Sequence, residues 1–199
     1  MSIVYQLTRP FAYLTVEGPS LGVYRLWGPL CLGATTATVV WLLPVGINAV
    51  GSDSFSSFLV QLFATLPGFY IAALAAIVAF QGGDLDKDMP GTTAVITANN
   101  DTSRVEITFR VFLCYLFSYL TALSLAGFGI CVIGSLLVPS VESLFSRSVE
   151  ALQWVELGYV FILSVVTFGV ILCTIQGLYF LAERVHQTLL DDPSAPPSQ

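Results

Sequence analysis

Residues 109–138 read FRVFLCYLFSYLTALSLAGFGICVIGSLLV, a run whose only charge, Arg110, sits at its start. A helix needs roughly 20 mostly apolar residues to cross the hydrocarbon core of a bilayer. No water is present there to satisfy backbone amides, so such a run is read as a helix rather than a strand. Three further stretches have the same character. They are 26–47 (LWGPLCLGATTATVVWLLPVGI), 55–80, with Pro67-Gly68 near its middle, and 157–181, and none carries a charge in its central part. The reading is an all-α membrane protein with four transmembrane helices.

Composition agrees. The chain is 55% hydrophobic and 10% charged, whereas a soluble domain is about a quarter charged. Its mean hydropathy is +0.81. A net charge of -6, with the basic residues spread singly, leaves no basic patch for direct nucleic-acid binding. Cys31, Cys114, Cys131 and Cys173 each lie in an apolar run without zinc or redox spacing, and are expected to be small packing residues. The N-terminus shows no basic region followed by an apolar core, and Arg9-Pro10 interrupts its first apolar stretch, so no cleavable signal is expected.

Orientation follows from the cations, which are retained on the cytoplasmic side. Arg9 and Arg25 precede the first run, Lys87, Arg104 and Arg110 fall between the second and third, and Arg184 follows the fourth; only Arg147 lies on the other side. Both termini and the 81–108 loop are therefore expected in the cytoplasm, in a cell inner membrane. Residues 1–25, with Tyr5, Phe11, Tyr13 and Tyr24, read as an amphipathic interfacial segment, irregular or helical. The link 139–156 has room for a short amphipathic helix, and the 182–199 tail ends in the disorder-prone DDPSAPPSQ.

The 81–108 loop is the sizeable connection. Thr93–Thr97 and Arg104–Phe109 are β-prone, and Asn99-Asn100-Asp101 between them is turn material. A small hairpin and a solvated loop are both compatible with this pattern, and a lone hairpin is marginal in water. Asp84, Asp86 and Asp88 open like a calcium loop, but Met89, Pro90 and Val95 occupy its sixth, seventh and twelfth positions, so no metal site is expected. Partner docking is assigned to Asp84, Asp86, Lys87, Asp88, Asn99, Asn100, Asp101 and Arg104.

No catalytic pair, dinucleotide loop or metal motif is present in the sequence, so neither enzymatic activity nor a cofactor is expected. His186 follows the fourth run, where a helix C-terminus favours a cation. Ala64, Gly68, Ala72 and Ala76 recur every four positions in the second run, as do Gly169, Cys173 and Gly177 in the fourth. Small residues at this spacing allow helices in lipid to approach closely, and Gln61 and Gln176 are read as interhelical hydrogen-bonding groups.

Size, four runs, inside termini and missing enzyme motifs resemble the small membrane subunits that bacterial anti-phage systems pair with a cytosolic effector, the KwaA type of the Kiwa system. The resemblance is architectural. It implies a homo-oligomer that senses membrane disturbance and docks a cytosolic partner. The expected function is thus a non-enzymatic membrane subunit that oligomerises and anchors or signals to a cytosolic protein. The alternative is a small oligomeric channel lined by Thr35, Thr36 and Thr38 or by Ser118, Thr121 and Ser124.

Overall fold

The computed structural model describes residues 9–16, 22–42, 55–79, 86, 88–98, 101–144 and 149–190. A 3-10 segment, Arg9–Thr15, is followed by a π-helical turn, Val23–Trp27, that runs directly into α1, Gly28–Leu42. Then come α2 (Phe55–Ala79), strands β1 (Asp88–Ala98) and β2 (Asp101–Thr108), and the long helices α3 (Phe109–Leu144) and α4 (Val149–Leu190).

Three of the described helical segments are long and apolar enough to cross a membrane: Phe55–Ala79, Phe109–Leu137 and Glu150–Leu181. The protein is accordingly a helical membrane protein. Of the first run the structure describes residues 26–42, all in the π-helical turn and α1. α1 has 15 residues, roughly 23 Å at the rise of an α-helix, against a hydrocarbon core of about 30 Å. The part of that run beyond Leu42 lies outside the described residues. Between α3 and α4, residues 139–144 and 149–156 continue the two long helices rather than forming a separate one.

α2 packs along α3, α3 along α4, and α4 along α1. Large side chains of one helix enter notches left by glycines of the next. A Cβ on Gly127 of α3 would meet the Phe63 ring of α2 at 2.8–2.9 Å, and one on Gly33 of α1 would meet Val165 Cγ2 of α4 at 2.5 Å. Glycine is what permits these close approaches. Pro67 is buried within α2, which is helical throughout Phe55–Ala79. Pro29 lies in α1 directly after the π-helical turn that runs into it, so its missing N–H leaves one bond of that continuous helical run unmade.

β1 and β2 pair antiparallel, in register from Thr93↔Glu106 to Ala98↔Asp101, with an irregularity between Asp88 and Thr93. Pro90 lies in that interval and has no N–H to donate to a ladder. β2 passes without interruption into α3 at Phe109. Ile107 and Phe109 are both buried, which ties the strand to the bundle.

Candidate functional site

The two small-residue stripes have opposite environments. On α4, Gly169, Cys173 and Gly177 are buried. A Cβ on Gly177 would lie 3.0 Å from Leu116 of α3, and one on Gly169 would lie 3.5 Å from Leu123 and 3.8 Å from Pro29. That stripe serves packing within the chain. On α2, Ala64, Gly68, Ala72 and Ala76 are exposed, and Gln61 is exposed beside them. A Cβ on Gly68 would meet nothing within 4 Å. Residues 61, 64, 68 and 72 share one helix face by their spacing. This face turns away from α3, into which α2 directs Phe63 and Tyr70.

The two glutamines divide the same way. Gln176 of α4 is buried and its Oε1 accepts a 2.9 Å hydrogen bond from the Tyr13 hydroxyl. Tyr13 and Val16 are 1% and 2% exposed whereas Phe11, Leu14 and Thr15 are exposed, so the described part of the N-terminal segment turns one face into the bundle and the other outward. The Tyr13 ring packs on Tyr119, with centroids 5.2 Å apart, and on Phe112 at 6.0 Å. Burial pushes the Tyr13 phenol well above its ordinary value, so it remains a protonated donor. A second polar bond links helices nearby: the Tyr70 and Thr174 hydroxyls lie 2.7 Å apart.

The same end of the bundle carries two arginines that bind backbone. Arg25 Nη1 donates to the carbonyls of Tyr13 at 3.4 Å and Val16 at 3.2 Å. Arg110, at the head of α3, donates from Nε and Nη2 to the Asp86 carboxylate at 2.8 and 3.0 Å, and from Nη1 to the Ile77 carbonyl at 3.3 Å. Ile77 lies in the last turn of α2, where unsatisfied carbonyls and the helix dipole favour a cation.

Of the assigned docking residues, Asp86 is exposed and paired with Arg110, and Asp88, Asp101 and Arg104 lie on the strands. Asp84, Lys87, Asn99 and Asn100 lie outside the described residues. No group of three or more His, Cys, Asp or Glu side chains suited to a metal ion occurs among the described residues. An apolar groove of about 250 Å³ opens between α1 and α4, lined by Ala37, Thr38, Trp41, Trp154 and Leu157.

The chain matches no family model, no curated protein and no solved structure. The functional reading therefore rests on the geometry above.

The inward position of Tyr13 was not legible in advance. An aromatic in a short polar-apolar segment reads as a headgroup anchor, and nothing in that segment points to its partner Gln176, 163 residues away.

Proposed function

We propose that this protein is a non-enzymatic membrane subunit that self-associates through the outer face of α2 and uses the 81–108 region to hold or signal to a cytosolic partner, in the manner of the membrane subunits of anti-phage systems. On this reading it crosses a cell inner membrane four times, with both termini and the β1–β2 pair in the cytoplasm. The helical run through the π turn and α1 supplies the first crossing.

The observation that carries the reading is the exposed α2 face of Gln61, Ala64, Gly68 and Ala72. It combines a surface on which another helix can approach closely with a polar side chain that has reason to seek a partner in lipid. The face is self-complementary, since Gln61 of one copy can hydrogen-bond Gln61 of the next. Because Gly68 has open space within its own chain, Gly68→Leu separates association from folding. Native mass spectrometry from mild detergent is expected to give an oligomer for the parent and a monomer with unchanged helicity for the variant. Equal oligomer in both would refute the α2 interface. Deleting 84–107 is expected to abolish recovery of a cytosolic partner while leaving insertion intact. Unchanged recovery would refute the docking role.

A small oligomeric channel is the second reading. The hydroxyls of Thr35 and Thr36 donate to the Leu32 carbonyl, and those of Thr38, Thr121 and Ser124 donate to carbonyls of their own helices. These bonds weaken the case for them as a polar lining. Conductance across planar bilayers is the discriminating measurement.

A further inference from the structure

α1 and α4 pack side by side, and toward the end of α1 they leave an apolar groove of about 250 Å³. α1 contributes Ala37, Thr38 and Trp41 to its walls, and α4 contributes Trp154 and Leu157. Both tryptophans are 69% exposed, so each helix presents a large, uncovered ring to the groove. The groove's one hydroxyl is turned to its own helix: Thr38 donates to the Ala34 carbonyl at 2.8 Å. Such walls suit a hydrocarbon chain better than a polar ligand.

The depth of the groove and the charge above it narrow the occupant further. The stretch of α4 that suits hydrocarbon begins at Glu150. Trp154 is four residues on, roughly 6 Å at the rise of an α-helix. Tryptophan is enriched at that level, where acyl chains meet headgroups. Residues 150, 154 and 157 share one stripe of α4 by their spacing. Glu150 therefore continues the groove-lining stripe one turn outward, and its side chain is exposed. Glu156 is also exposed but lies off that stripe. A lipid seated in the groove meets indole rings beside the top of its chain and a carboxylate at its headgroup. An ammonium is attracted by both, by charge to Glu150 and through the ring quadrupole to the indole faces. A headgroup of net negative charge is repelled by Glu150.

We propose that the groove between α1 and α4 is a binding site for an aminophospholipid of the phosphatidylethanolamine class, in the leaflet facing away from the cytoplasm. One acyl chain lies between Trp41 and Trp154, and Glu150 holds the ethanolamine ammonium. A primary ammonium donates charge-assisted hydrogen bonds to a carboxylate, which a choline cannot. The site therefore favours ethanolamine over choline, and both over an anionic glycerol headgroup. The inference rests on the reading that the first run crosses the bilayer, which puts this end of α1 in lipid.

The tryptophans are built-in reporters, because brominated acyl chains quench indole fluorescence on contact. Full-length Trp27→Phe, which keeps Trp41 and Trp154, is reconstituted in phosphatidylcholine vesicles. These carry brominated phosphatidylethanolamine, phosphatidylcholine or phosphatidylglycerol at matched mole fractions. Half-quenching is expected at about two- to fivefold less of the ethanolamine than of the glycerol lipid, the range for one exposed ion pair, with the choline lipid between them. Adding Glu150→Gln is expected to erase the preference, and adding Glu156→Gln to keep it. Equal quenching by the three lipids would overturn the proposal. So would a preference that survives Glu150→Gln or is lost in Glu156→Gln. A Trp27→Phe, Trp154→Phe protein, with Trp41 as its only tryptophan, keeps two failures apart. Quenching of Trp41 by every lipid, with no preference in the Trp27→Phe protein, would refute the site and leave the crossing standing. No quenching of Trp41 by any lipid would refute both.

Discussion

The Phe63 ring stands where a side chain on Gly127 would have to go: it is fully buried, and a Cβ on Gly127 would lie within 2.8–2.9 Å of its carbons. The pair fixes how closely α2 and α3 approach, and the two glycines Gly127 and Gly68 therefore predict opposite behaviour. Gly127→Ala is expected to destabilise the bundle by about 1–3 kcal/mol, the range for overpacking a filled core. Gly68→Ala, with open space around it, is expected to leave stability unchanged or raise it by up to about 1 kcal/mol through reduced backbone freedom. Equilibrium unfolding in mixed micelles checks both.

Tyr13 and Gln176 are predicted to be energetically coupled. Gln176→Leu leaves a buried phenol without its acceptor, at a cost of about 1–3 kcal/mol. Tyr13→Phe in the same protein removes the orphaned hydroxyl, so the double variant is expected to lose less than the two single losses combined. A double-mutant cycle of unfolding free energies measures the coupling, expected at about 0.5–1.5 kcal/mol. Strict additivity would show that the bond contributes nothing.

Arg110 joins Asp86 to the last turn of α2. Asp86 is 54% exposed at its side chain, and an exposed ion pair contributes only about 0.2–1 kcal/mol. Asp86→Asn is therefore expected to be mild and its effect to shrink in high salt. Arg110→Gln also removes the bond to the Ile77 carbonyl, and is expected to cost more and to retain most of its effect in salt. Thermal unfolding of both variants at low and high ionic strength reads the difference.

The long apolar runs were legible because length and neutrality alone decide whether a segment suits hydrocarbon. The three helices that meet that test fall at the second, third and fourth runs read from sequence. Which face of each helix points inward was not legible. In a soluble protein the apolar face is the buried one, but a bilayer helix is apolar all round. The four-residue stripes of α2 and α4 look alike in sequence, yet Gly68 is exposed and Gly177 buried. Gln61 and Gln176 are equally ambiguous, since only the presence of Tyr13 opposite Gln176 separates them. The apolar limits of the third and fourth runs do not mark the helix ends: α3 and α4 continue past them into the polar residues of 139–156, because a helix need not stop where its lipid-compatible stretch does.

The most direct test of the account counts crossings by their parity. With the native cysteines replaced by serine, a single cysteine is placed at Ser2 or at Ser198, and intact cells are treated with a membrane-impermeant maleimide. Four crossings with inside termini predict that neither position reacts until the membrane is permeabilised, and that both then react. Labelling of either end from outside would contradict the account, and labelling of one end alone would mean that the α1 run does not cross.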